Sequence, residues 1–336
     1  MIYKVLIYAR PWNVDQLKDI CKYAFPNSKI EFMSDFLGMG GANLQERFYF
    51  YLKSYKNSIK YSQIGISKKD IKDIILRCRL LRNLNYSKAK KMLICMWQAI
   101  NEVYQEFKPN IGIGYTVDSY VSDLYRLKLE KDKKQYLGIV QLFLKGYFRV
   151  SGSRGEYYQS YNPDKKEIDK AYNLILVKKE KPHFHINLKS KTSQSLLILR
   201  NIIKNKLRYI FFNLKVFITK DKFNYHYMVN KELTRISRDI CFNFASDDWE
   251  IKLNDKNKNI NAFIPLQYFP EATVDYWTPK IDYIDYYQTL DKIIKYAKSH
   301  NVKVFIKEHP SMSGNRPKNF YEKITKNLNV IMIPTY

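Results

Sequence analysis

Three side chains near the end of the chain have the types and spacing to hold a phosphorylated ligand. His309 stands just past an apolar run, VKVFIK (302–307), whose last residue is Lys307, and Pro310 follows it. Gln267 comes directly after a second run, AFIPL (262–266). In open α/β sheets ligands bind beyond the carboxyl ends of the strands, so two neighbouring strands with these endings would line one crevice. There an imidazole, an amide and an ammonium can hold a phosphate and a base or ribose edge. Pro310 would stop the strand and set the direction of the loop. A plainer reading competes, with His309 as a turn residue and Pro310 as a strand terminator, and spacing alone favours it.

Other residues could also do chemistry. LGMGGANL (37–44) sets Gly38, Gly40 and Gly41 between a strand pattern and a helix pattern. Glycines let backbone approach a ligand, and a helix N-terminus favours an anion. The run departs from G-x-G-x-x-G, with Asn43 at the third glycine position, and a flexible turn explains it equally well. Asp118 follows the strand pattern PNIGIGY (109–115). A carboxylate there can take a proton from a hydroxyl, although a helix N-terminal Asp is the simpler account. His183 and His185 share a strand face in KPHFHIN, but no third ligand is near in sequence, so no metal site is expected. Cys21, Cys78, Cys95 and Cys241 lack C-x-x-C spacing and read as reduced, buried thiols.

The elements that must position these residues are α/β in order. IYKVLIYA (2–9) is a strand, 15–24 a helix and KIEFMS (29–34) a strand, the signature of a parallel sheet. Helical patterns follow at 43–57, 68–82 and 87–107, then strand 109–115 and the helix of TVDSYVSDLYRLKLEK. IVQLFLKGYFRVSG (139–152) reads as one strand running into a loop, and helices are expected through 228–244. From 261 the pattern is βαβαβ, half of a doubly wound domain.

Composition sets bounds on the partner. The chain carries 58 Lys+Arg against 32 Asp+Glu, a net charge of +26, which favours an anionic partner without naming one. Residues 178–222 hold 12 Lys+Arg and only Glu180 and Asp221 as acids. Within them SLLILRNIIKNKLRYIFF reads as a basic amphipathic helix, suited to an anionic membrane surface. No run of apolar residues is long enough to span a bilayer, and the N-terminus does not read as a signal peptide.

PLQYFPEAT (265–273) followed by IKEHPSMSG (306–314) resembles the capsular polysaccharide biosynthesis family, which includes the Kdo transferases of capsule assembly. GYFRVSGSRGEYYQ (146–159) looks like that family's N-terminal cleft loop, and 34–53 is more loosely similar to its glycine-bearing first loop. The resemblance implies a GT-B-like α/β fold, two Rossmann-like domains with the nucleotide sugar on the C-terminal one. It implies that Gln267, Lys307 and His309 line the nucleotide site. Gly38, Gly40, Gly41 and Arg149 would belong to the cleft loops. The donor would be a nucleotide sugar, CMP-linked in the Kdo-transferring members, with no further cofactor. Sugar transfer needs a carboxylate, and Glu156, near Arg149 and Arg154, is the first candidate, with Asp118 in reserve. A surface salt bridge competes for Glu156. The loop at 265–270 is not a strict Q-P pair, because Tyr268 and Phe269 separate Gln267 from Pro270.

The expected division is an N-terminal acceptor-side domain over 1–177, a basic helical segment over 178–255, and a nucleotide-sugar domain over 256–336. That last stretch is short for a whole Rossmann-like domain, so a truncated one is expected. The expected function is a cytoplasmic glycosyltransferase of surface polysaccharide assembly, peripheral on the membrane, acting on a glycan or lipid-linked acceptor. Two other readings remain open. A nucleic-acid binder is favoured by charge and by aromatics interleaved with lysines over 209–227, but no zinc finger, RRM or clear helix-turn-helix pattern supports it. An inactive fragment or scaffold of the same family is the other.

Overall fold

The computed structural model describes residues 2–36, 38–55, 65–142, 147–155, 162–179, 190–219, 238–239, 243–254, 260–269, 272–278, 280–312 and 314–335. The chain divides into two compact units. One is Met1–His185 with Asp275–Ile281, and the other is Ile186–Val274 with Asp282–Tyr336.

The first unit is built on β1 (Lys4–Tyr8), whose residues from Val5 onward are buried. A strand apolar on both faces belongs at the centre of a parallel sheet. Helix α1 (Val14–Ala24) carries the chain to β2 (Lys29–Ser34), which pairs with β1 in parallel. Outside β2 lies β3 (Ala42–Asn43), which leads straight into α2 (Leu44–Ser54). Helices α3 (Lys68–Arg77) and α4 (Tyr86–Phe107) precede β4 (Ile111–Gly114), which takes the other flank of β1. After α5 (Tyr120–Lys131) come β5 (Gln135–Gln141), parallel to β4, and β6 (Phe148–Ser151), antiparallel to β5. The order is β3-β2-β1-β4-β5-β6. Val5, Ile7, Leu17, Cys21, Ile111 and Ile113 pack as one core. Each such side chain contributes about 1.5–3 kcal/mol on burial.

A segment from far along the chain completes this unit. Arg77 donates to the carbonyls of Asp275 (3.0 Å) and Thr278 (2.7 Å). Arg82 pairs with the fully buried Asp275 carboxylate at 2.7 Å, and Arg79 approaches it at 3.5 Å. The Trp277 ring lies under the Arg149 guanidinium at 4.1 Å.

The second unit holds a three-stranded parallel sheet. Its strands are β8 (Asn261–Pro265), β9 (Lys303–Lys307) and β11 (Val330–Ile333), with β9 in the middle. Helix α7 (Tyr286–Ser299) connects β8 to β9, and α8 (Phe320–Thr325) lies between β9 and β11. Leu290, Ile294, Val304, Ile306, Tyr321 and Met332 form its core. A short antiparallel pair joins β7 (Arg238–Asp239) to β10 (Arg316–Pro317). Earlier in the same unit runs α6 (Lys191–Thr219), 29 residues long.

The α/β class and the parallel strand–helix–strand order at both ends are as the sequence predicts. Two expectations are corrected. The strand read over 139–152 is instead a hairpin, with β5 starting at Gln135 and β6 turning back on it. The alternation of Gln135–Gln141 is broken by Gly138, where a side chain would meet Ser151 Oγ at 2.6 Å. The helices expected through 228–244 fall mostly outside the described residues, and Arg238–Asp239 within that range is a strand. The aromatics of 223–227, and both His183 and His185, also lie outside them.

Candidate functional site

Each unit presents its chemistry at the carboxyl ends of its parallel strands. In the first unit the sheet order reverses at β1, because the chain moves to β2 on one side and reaches β4 on the other. Such a switch point opens a crevice above the strand ends. A narrow crevice with a cavity volume of about 10 Å³ lies there, lined by Tyr8, Arg10, Trp12, Tyr115, Thr116 and Asp118 among others.

Arg10 organises it. Its amide donates to Asn13 Oδ1 at 2.8 Å, and the Asn13 amide donates back to its carbonyl at 3.0 Å, so the turn after β1 is closed. The guanidinium is buried. Its Nε donates to the Tyr8 hydroxyl at 3.1 Å, and that hydroxyl donates to Asp35 Oδ1 at 2.8 Å. Nη1 reaches Asp118 Oδ2 at 3.4 Å. The Trp12 ring, 57% exposed, lies 5.3 Å from the Arg10 guanidinium.

Asp118 is therefore not the cap of α5. Ser119 holds that place, its hydroxyl accepting from the Ser122 amide at 3.3 Å. The Asp118 carboxylate, 25% exposed, turns instead to Arg10 and the crevice. Arg10 and Trp12 carry no motif in the sequence. Their only signal is position, directly after a buried strand.

The glycine loop lies between β2 and α2. Gly38, Gly40 and Gly41 all have left-handed φ, from 67° to 76°. At Gly41 a Cβ would come within 2.4 Å of the Phe32 carbonyl oxygen. Asn43 caps α2, its Oδ1 accepting from the amides of Gln45 (3.0 Å) and Glu46 (3.1 Å). The departure from a third glycine thus has a structural role, and the amides that an anion would use there already have a partner.

Glu156 lies outside the described residues. The two arginines read beside it have partners of their own. Arg154 pairs with Asp123 at 2.8 Å and with Asp73 at 2.6 Å. Arg149 covers Trp277 and donates to the Gly155 carbonyl. Burial alone would raise the Asp123 carboxyl, but the charges of Arg126 and Arg154 and their hydrogen bonds hold it below the usual range.

In the second unit, β8 and β9 are adjacent, with Pro265 opposite Lys307 in register. The Leu266 amide continues the ladder to the Lys307 carbonyl at 2.8 Å. Gln267, Lys307 and His309 therefore stand at neighbouring strand ends. The His309 ring meets Tyr268, the neighbour of Gln267, edge-on with centroids 5.7 Å apart. The Ser311 amide donates to His309 Nδ1 at 3.2 Å, which leaves the proton of the neutral ring on Nε2.

The residue that fixes this loop is Glu308, between the two cationic candidates. It is buried, and its carboxylate takes two 2.8 Å hydrogen bonds from the equally buried Arg316. It also accepts from the Tyr321 hydroxyl and, at 2.6 Å, from the His309 amide. Arg316 donates onward to the Gln267 carbonyl at 2.7 Å, tying the end of β8 to the end of β9. Burial would lower the Arg316 pKa, but the Glu308 charge raises it well above its ordinary value. The Tyr286 ring lies 5.5 Å from the Arg316 guanidinium, and its hydroxyl accepts from the Gln267 amide at 2.9 Å. Glu308 anchors the loop from inside, His309 is held half-exposed above it, and Pro310 opens a short 3₁₀ turn.

Cys21, Cys78 and Cys95 are buried free thiols, and burial pushes Cys21 and Cys95 up to about 12. Cys241 lies outside the described residues. Among the described residues no group of His, Cys, Asp and Glu is placed to hold a metal ion.

No protein-family model and no curated protein matches the chain. Among solved structures, the chain is similar to the UDP-GlcNAc 2-epimerase of Neisseria meningitidis bound to UDP-GlcNAc, at 13% identity over 99% of this chain and 72% of that one, with a TM-score of 0.23. It is similar also to the UDP-GlcNAc 2-epimerase of Methanocaldococcus jannaschii, at 13% identity over 100% of this chain and 74% of that one, with a TM-score of 0.22. At those TM-scores the likeness carries no functional argument.

Proposed function

We propose that the protein is a nucleotide-sugar-dependent glycosyltransferase of the kind used in surface polysaccharide assembly. The observation that carries this is the loop after β9. An internal Glu308–Arg316 pair spends two buried charges to hold His309 and Lys307 at the carboxyl end of a parallel strand, beside the Gln267 end of its neighbour. A buried ion pair is a poor source of stability and a good device for fixing a conformation. Lys307 and the His309 Nε2 proton are read as the donors that bind the nucleotide phosphates. There they would stabilise the charge that builds as the sugar–phosphate bond breaks and its electron pair leaves with the nucleotide.

The acceptor is assigned to the first unit. Asp118, paired with Arg10, would take the proton of the attacking hydroxyl, and the exposed Trp12 ring gives a sugar face something to stack on. The donor sugar is Kdo-like and CMP-linked under the family resemblance, and the acceptor is a glycan or a lipid-linked glycan.

Thermal denaturation against CMP, UDP and GDP tests the nucleotide half. A nucleotide at a hundred times its Kd should stabilise the fold by about 2.7 kcal/mol. No shift with any of the three counts against the reading. For the acceptor half, Asp118→Asn should slow turnover by about 10²–10⁴-fold while leaving nucleotide binding unchanged. Turnover unaffected by Asp118→Asn removes that residue from the chemistry.

A further inference from the structure

Helix α6 has two faces with different fates. In its first half Gln194 and Ile198 are buried and Asn201 and Ile202 half-buried. Ile198 packs so closely over Gly314 that a Cβ there would lie 2.7 Å from Ile198 Cγ2. Roughly opposite this face, at 3.6 residues per turn, runs a second apolar line: Leu199, Ile203, Leu207, Ile210, Leu214 and Phe217. Spaced three or four residues apart, these six are all exposed, Leu207 by 61% and Phe217 by 72%. An apolar stripe of this length exposed to water marks an interaction surface.

Charge says what covers it. Arg200 and Lys204 border the stripe on one side and Lys206 on the other, with Arg208 beyond Lys204, and all four are exposed. No Asp or Glu occurs between Glu180 and Asp221. A second copy of this helix would bring cations against cations with no acid to pair them. An anionic lipid surface complements both the stripe and its borders. Among the described residues no helix is long and apolar enough to cross a membrane, so the helix would lie in the interface plane.

We infer that α6 is a membrane-docking element that seats its Leu199–Phe217 stripe in the surface of an anionic bilayer.

Co-sedimentation of the full chain with vesicles decides it. Vesicles of phosphatidylcholine containing phosphatidylglycerol should capture the protein, pure phosphatidylcholine should not, and added salt should weaken capture. Changing Arg200, Lys204, Lys206 and Arg208 together to Glu should reduce partitioning by at least about a hundredfold. The double change Leu207→Ser and Leu214→Ser should also release the protein, with circular dichroism and the melting temperature unchanged because both positions face solvent. Equal capture by neutral and anionic vesicles overturns the inference, as does capture that survives the four Glu changes or the two Ser changes. A lipid-independent dimer in sedimentation velocity that the two Ser changes dissociate also overturns it, because the stripe would then be a contact between copies.

Discussion

His309 and Glu308 are neighbours with opposite roles, and substitution separates them. His309→Ala removes a half-buried ring at a loop rather than in the core, so it should leave the melting temperature nearly unchanged. A charge-assisted hydrogen bond to phosphate is worth about 1.5–3 kcal/mol, so nucleotide affinity should fall by roughly 10- to 150-fold, measured by titration calorimetry. Glu308→Gln strands the buried Arg316 charge and should cost about 3–5 kcal/mol of stability, read from denaturant unfolding. Replacing both partners with Met should recover much of that loss. The strand-end histidine was legible because a K-x-H-P ending is a local pattern. Glu308 and Arg316 were not, since their pairing depends on a loop closing over eight residues, which nothing in either residue type announces. Arg10 and Asp118 meet across 108 positions and were equally invisible as a pair.

Elements whose patterns are local were read closely, with α4 and β9 within a residue or so of their expected bounds. The hairpin of β5 and β6 and the return of 275–281 to the first unit were not, because they rest on long-range pairing and on buried charge. The return segment makes its own prediction. Asp275→Asn removes the charge opposite Arg79 and Arg82, and should loosen 275–278 before the rest of the unit. Hydrogen exchange of those amides should rise while exchange in β1 and β4 stays slow, and uniform protection would refute the anchor. At the head of α5, Ser119→Ala deletes a cap that bonds the Ser122 amide and should cost about 1 kcal/mol in thermal unfolding.

For the whole molecule, acid is the informative perturbation. Asp123 is fully buried between Arg126 and Arg154, and its folded pKa lies below the ordinary 3.8. A depressed carboxylate contributes stability that is present above its unfolded pKa and is lost as pH falls through its folded value. Stability should therefore hold from neutral pH to about 4 and drop below it. Asp123→Asn should be less stable at neutral pH and show a shallower acid slope, and parallel pH profiles for the two proteins would contradict this. The central claim is that the end of β9 is a nucleotide site, and the His309 ring reports on it directly. Its proton resonance, assigned by its loss in His309→Ala, should be followed by NMR while the nucleotide that raises the melting temperature is added. A saturable shift that tracks binding is the predicted result. A nucleotide that binds while the His309 resonance stays still would contradict the account.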